Sequence, residues 1–200
     1  SVGFIAIAIA LLIGVSLGAI AAYRGGWVDN VIMWLINVVW SIPTVLLVIA
    51  ITFALGKGFW QIFIAVGLTM WVDIARVVRG EVLSIKEKEF VEATRALGYS
   101  TFRTIFRHIL PNVAHIILIQ FSIRFPAAVS TEVFISFLGI GVQGEPSWGV
   151  MINNARMRLW QGVWWEMTFT TLAIFALVLV FNHLADWLRD RLDPALRSER

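Results

Sequence analysis

The sequence predicts an all-α fold, a polytopic bundle of transmembrane helices, and three observations carry that prediction. Hydrophobic residues make up 59% of the 200-residue chain against 14% charged, with a mean hydropathy of +0.82, a balance that contradicts a water-soluble core. The apolar residues fall in continuous runs of about 18 to 25, long enough to cross a bilayer as helices. They do not alternate over about ten residues, as the strands of a membrane barrel do. In hydrocarbon every backbone polar group needs a partner inside the protein, and a helix supplies those partners within its own segment. The sequence contains no cysteine, which excludes a disulfide framework, a redox pair and a thiolate metal site. The net charge of +3 asks for no nucleic acid.

The elements follow in order. The chain opens on Ser1 and runs uncharged to Tyr23, without the basic start and short apolar core of a secretory signal. The expectation is a span over residues 2–22 from a chain that begins further upstream. Ala10, Gly14, Gly18 and Ala22 recur every fourth residue along it, so one face is smooth enough for close approach of another helix. Tyr23-Arg24-Gly25-Gly26 ends this span, and a second covers 30–55. Pro43 near its middle removes a backbone bond and should bend it, either as a gate hinge or for ordinary packing. Gly56-Lys57-Gly58 makes a turn into a third span at 59–78, whose Asp73 and Arg76 lie three apart on one face, close enough to pair. Residues 79–110 are polar. A fourth span, 111–137, starts at Pro111, a favourable first-turn residue, and holds Arg124, Pro126 and Glu132. A Gly- and Trp-rich loop at 139–165 carries a short helix around 150–158, a fifth span covers 166–184, and a charged tail occupies 186–200. Residues 1–185 thus form the membrane domain.

Basic residues orient the bundle. One side holds Arg24, Arg76, Arg79, Lys86, Lys88, Arg95, Arg103, Arg107, Arg189, Arg191, Arg197 and Arg200, and the other only Lys57, Arg156 and Arg158. The positive-inside rule puts the first side, with loop 79–110 and the carboxyl terminus, in the cytoplasm and the start of the chain outside. Within that loop Lys86 to Leu97 is compatible with helix, and Gly98 stands where a helix stops in a left-handed conformation. Phe90, Ala93, Thr94 and Leu97 share one face, small residues between larger ones, suited to close contact with another protein. Ser100 can cap a second helix with Phe102, Ile105, Phe106 and Ile109 as an apolar stripe beside Arg103 and Arg107. A loop lying on lipid headgroups fits the same composition.

Glu92-Ala93-Thr94, three residues, Gly98, nine residues, then His108-Ile109-Leu110-Pro111 resembles the EAA loop of ABC-importer permeases, whose pattern is E-A-A-x3-G-x9-I-x-L-P. Thr94 replaces the second alanine, and His108 departs from the general pattern in the manner of the peptide/nickel branch. Tyr23 to Asp29, Phe137 to Gln143 with Pro146 to Gly149, and Leu188 to Pro194 are similar to further signatures of that branch, so the resemblance extends over nearly the whole chain. It implies a dipeptide/oligopeptide C-type permease with the type I importer fold, here lacking the family's first helix. It also implies a cytoplasmic coupling helix in a multi-pass protein of the bacterial or archaeal plasma (inner) membrane. The implied partners are a second homologous permease, two nucleotide-binding ATPase subunits, an extracytoplasmic substrate-binding protein and membrane lipid. ATP and Mg would belong to the ATPases, with no cofactor and no catalytic residue in this chain. Phe90, Glu92, Ala93, Thr94, Leu97, Gly98, Arg103 and Arg107 would then couple the permease to the ATPases.

Arg124 and Glu132, two turns apart on the fourth span, are candidate pathway residues able to meet the two ends of a zwitterionic peptide or, alternatively, to hold helices together. His108, His115 and His183 form no recognisable metal site, and Asp29, Asp73 and Glu132 no catalytic pair. Nickel or another small solute is an alternative cargo. An ion-coupled secondary transporter, using intramembrane acids, is the alternative from another class.

Overall fold

A computed structural model describes residues 2–56, 58–141 and 146–192, and among them every regular element is helical. Among the described residues four helices are long and apolar enough to cross a membrane, and a sharply bent pair adds a fifth candidate span. The centre of the bundle is the packing of α1 (Val2–Arg24) on α4 (Phe59–Ile85). The expected smooth face makes this possible. A Cβ added at Gly18 would stand 2.4 Å from the Ala75 carbonyl oxygen, and one at Gly14 2.7 Å from that of Trp71. The two backbones touch with no side chain between them, the arrangement that favours small residues where helices associate without a hydrophobic drive. Ala6, Ile7, Ala10 and Ala22 of α1 and Ile62, Phe63, Val66, Ile74 and Val78 of α4 complete the core.

At the expected bend the helix breaks outright. α2 (Gly26–Trp40) and α3 (Thr44–Leu55) meet at 92°. Proline has no N–H to continue the ladder and biases the residue before it away from helical geometry, so Pro43 ends up flanking a new helix. α4 outruns the expected end at residue 78 by seven residues. Arg79, Gly80 and Glu81 mark a change of polarity without a helix breaker, and 27 residues span about 40 Å, more than the hydrocarbon thickness.

A turn at Lys86–Lys88 leads to α5 (Glu89–Ala96), then α6 (Thr101–Thr104), a π-helical turn over Ile105–Ile109, α7 (Leu110–Asn112) and α8 (Ala114–Phe137). The long helix therefore starts at Ala114 and not at Pro111. The π turn lies directly before this proline, and Asn112 Nδ2 donates to the His108 carbonyl at 2.7 Å. α9 (Trp148–Leu159) is capped by Ser147, whose Oγ accepts from the Val150 amide. α10 (Trp165–Leu192) stacks Phe181 on Phe125 of α8 at 4.1 Å and leaves most of its apolar surface open, as suits a lipid-facing helix. Ser1, Lys57, Val142 to Glu145 and the residues after Leu192 lie outside the described residues.

Candidate functional site

The helix–corner–helix unit between α4 and α8 forms first from local rules. α5 stops at Leu97, and Gly98 adopts φ +73. The Tyr99 amide donates to the Thr94 carbonyl at 3.1 Å and the Gly98 amide to that of Arg95 at 2.9 Å, the paired bonds of a Schellman stop. Ser100 Oγ accepts from the Arg103 amide and starts α6. Arg103 then lies over the Tyr99 ring at 4.3 Å, and the His108 ring stacks with that of Tyr99 at 5.5 Å between centroids, contacts that stiffen the corner.

The face presented outward is the expected one except at Thr94. Val91 and Thr94 point into the protein, and the Thr94 hydroxyl donates to the Val91 carbonyl at 2.7 Å. Thr94 lies at the edge of the stripe read from the sequence, and the inward direction runs between it and Val91. Phe90, Ala93 and Leu97 remain exposed with Glu92. The stripe on the second segment divides in the same way: Ile105 and Ile109 are buried, whereas Phe102 and Phe106 are exposed with their rings 4.3 Å apart. Arg103 and Arg107 are exposed beside them. Leu97 and Phe102 are each 69% exposed.

This unit is fastened to α1. Lys86 Nζ donates to the Ala22 carbonyl at 3.1 Å, and the Arg95 guanidinium sits 5.3 Å above the Tyr23 ring. Lys86 and Tyr23 were not singled out as functional by sequence reasoning. Their signal is a positional one, a lysine just past an overlong helix and an aromatic residue at the end of the helix packed against it.

A second polar assembly lies along α2, α4 and α8. Arg79 Nε and Nη2 donate to the two carboxylate oxygens of Asp29, both at 2.6 Å, a bidentate pair. Arg76 Nη2 donates to Asn37 Oδ1 at 2.5 Å, and its guanidinium covers the Trp40 ring at 4.1 Å. Trp40 Nε1 donates to Asp73 Oδ1 at 3.2 Å, and Arg124 Nη1 pairs with Asp73 Oδ2 at 2.9 Å. Asp73 and Arg76 therefore do not pair with each other as their spacing allowed, because α2 and α8 supply each with a partner at better geometry. Asp73 and Arg124 also line a cavity of about 220 Å³ beside the broken span, together with Trp40, Thr44, Thr69 and Thr131.

The two candidate pathway residues are placed differently. Arg124 opens on this cavity, whereas Glu132 is 2% exposed and accepts from Ser136 Oγ at 2.7 Å. Two helical turns put both on α8, but packing buries one and leaves the other at a void. His115 lines a separate cavity of about 670 Å³ with Glu81, Lys88, Gln120 and Arg189. Among the described residues no group of three His, Cys, Asp or Glu side chains is placed to hold a metal ion.

Comparison with known proteins follows the same lines. Residues 14–198 match the family described as binding-protein-dependent transport system inner membrane component. The dipeptide transport system permease protein DppC of Bacillus subtilis is 42% identical over 197 residues, covering 98% of this chain and 62% of that relative. The oligopeptide transport system permease protein OppC of the same organism is 40% identical over 198 residues, covering 98% and 65%. The glutathione transport system permease protein GsiD of Pectobacterium atrosepticum is 38% identical over 197 residues, again covering 98% and 65%. The chain thus spans a little under two thirds of the length of the relatives it matches. Among solved structures, an inward-facing form of the MetNI methionine ABC transporter aligns with a TM-score of 0.76 at 17% identity, over 94% of this chain and 90% of that one, a likeness of fold.

Proposed function

The chain belongs to the family of binding-protein-dependent transport system inner membrane components, and from that premise we propose that it is a permease subunit of an ATP-driven importer of peptides, forming half of the translocation pathway. The relatives whose names specify dipeptide, oligopeptide and glutathione transport support a peptide as the cargo. The subunit performs no chemistry of its own. ATP and Mg are handled by two partner ATPases, a second permease completes the pathway, and a binding protein outside delivers the solute.

The observation that carries the coupling role is the exposed apolar set Phe90, Leu97, Phe102 and Phe106 on a unit otherwise rich in charge. Such a set marks a protein or membrane contact, and membership of a transport system's inner membrane components favours a partner protein over lipid. The capped corner at Gly98 keeps the two segments at a set angle, and Lys86 and Arg95 tie that angle to α1. ATPase closure against α5 is thereby passed to the α1–α4 core as a rigid push. Glu92, exposed on the same helix, accepts hydrogen bonds from the ATPase cleft. The excess of basic residues on this side assigns the unit and the carboxyl terminus to the cytoplasm.

The test is purification of the full-length subunit from membranes with its associated chains, followed by uptake in vesicles. The expected result is a complex with two nucleotide-binding subunits, and for Glu92→Lys normal membrane insertion with uptake lost. Full ATP-driven uptake by Glu92→Lys would remove the coupling role. A functional homo-oligomer driven by an ion gradient would overturn the importer reading.

A further inference from the structure

The polar assembly on α2, α4 and α8 carries unequal charge. Its bonded members are Asp29 and Asp73 against Arg76, Arg79 and Arg124, three positive groups for two negative ones. Asp29 is fully engaged by the bidentate Arg79. Asp73 must then serve alone between Arg124, which it contacts directly, and the indole of Trp40, itself covered by Arg76. Arg76 receives only a neutral amide oxygen from Asn37. Among the described residues the Nε atoms of both Arg76 and Arg124 have no hydrogen-bond partner.

An uncompensated cation within membrane-spanning helices is costly unless an anion or water answers it. The place where an anion can enter is defined. Arg124 and Asp73 have side chains 28% and 34% exposed, and both line the cavity of about 220 Å³ beside the break between α2 and α3. The hydroxyls of Thr69 and Thr131 on its wall already donate to the Val66 and Ala127 carbonyls. They offer lone pairs there, so the guanidinium of Arg124 is the group fitted to a negative charge.

We propose that Arg124, in the cavity bounded by Asp73 and the α2–α3 break, is a binding site for the carboxylate of a transported solute, with Asp73 as the internal anion that holds the site when solute is absent. The proposal rests on the transport reading and adds the chemical group that the permease itself recognises. Asp73 is then a competitor as well as a partner: solute carboxylate takes over Arg124, and the released Asp73 remains hydrogen-bonded to Trp40.

That competition makes the two residues respond in opposite directions. The assembled importer in nanodiscs, without its binding protein, is titrated with radiolabelled alanylalanine and with its carboxyl-terminal amide. Wild type is expected to prefer the free acid. R124Q should weaken acid binding about tenfold or more and abolish the preference, while D73N should tighten acid binding by a similar factor, the scale of one charged hydrogen bond. Equal affinity of wild type for acid and amide overturns the proposal, as does loss of affinity in both variants, the signature of a purely structural ion pair. If R124Q does not assemble, D73N decides, since only competition makes removal of an aspartate strengthen binding. An unchanged D73N would overturn the proposal in favour of an Arg124 already occupied by a carboxylate of the second permease. ATP-driven uptake by the same preparations scores the importer reading separately, because it can persist without any acid preference.

Discussion

Replacing Gly18 by alanine adds one carbon where α1 and α4 have no room for it. The new Cβ would lie 2.4 Å from the Ala75 carbonyl oxygen and 3.1 Å from its carbonyl carbon and Cα, whereas ordinary contact begins at 3.4 Å. The shortfall is about 1.0 Å, and the obstructing atoms are backbone, so no rotamer change relieves it. α1 must retreat by roughly that distance. A radial gap of about 0.5–1 Å already forfeits a quarter to a half of each dispersion contact, and the retreat loosens the stripe from Ala10 to Ala22. The expected loss of stability is about 1–3 kcal/mol, the usual cost of overpacking. The Lys86 bond to the Ala22 carbonyl, 3.1 Å long and one turn beyond Gly18, would also pass out of hydrogen-bonding range. Unfolding in mixed micelles by titration with SDS measures the first effect. Gly80 supplies the control, since it lies in the same bundle on α4 and a Cβ there meets nothing within 4 Å. Gly80→Ala should therefore be neutral or gain up to about 1 kcal/mol from helix propensity. The same substitution is expected to have opposite signs at two sites. Equal signs, or a Gly18→Ala protein as stable as wild type, would refute the packing argument.

Three further outcomes are expected. Gly98 has open space around it but φ +73, so Gly98→Val should cost about 1–2 kcal/mol of backbone strain and loosen the corner. Gly98→Asn should cost much less, and hydrogen exchange of the Tyr99 amide reads the difference. A double-mutant cycle on Asp29→Asn and Arg79→Gln should return a coupling of about 1.5–3 kcal/mol for the bidentate pair, measured by the same micelle unfolding. Lys86→Met should leave the fold stable within about 0.5 kcal/mol, as for most partly exposed sites, yet lower the ratio of solute transported to ATP hydrolysed in the assembled complex. An unchanged ratio would count against the tie between α5 and α1.

Much of the helix–corner–helix unit was legible in the sequence because its rules are local. Gly98 follows a helix-forming run and Ser100 precedes a second, so the stop and the cap each depend on a few neighbouring residues. The expected outward stripe of α5 loses one member to the interior: Phe90, Ala93 and Leu97 face outward, whereas Thr94, at its edge, turns inward with Val91. A small error in the direction of a stripe moves one residue in or out. That direction is set by what the helix packs on.

The polar assembly was the least legible part. Asp73 and Arg76 are correctly spaced for a pair on one helix, yet each finds its partner on another element, Trp40 33 residues away and Asn37 39 residues away. Arg124 and Glu132 share a helix but not an environment.

By itself the sequence determined the helical class, the apolar segments, the site of the bend at Pro43, the smooth stripe on α1 and the stop at Gly98. Each of these is encoded within a few turns, by hydropathy, by a missing N–H, by an absent Cβ. Only the tertiary structure decided that the break reaches 92°, that α4 runs on to Ile85, that Arg124 meets Asp73 beside a cavity, and that Lys86 reaches Ala22. The physical reason is the close approach of α1 to α4. Backbone contact at Gly14 and Gly18 sets the rotation and depth of α4, and that rotation selects which charges of α2 and α8 come within reach.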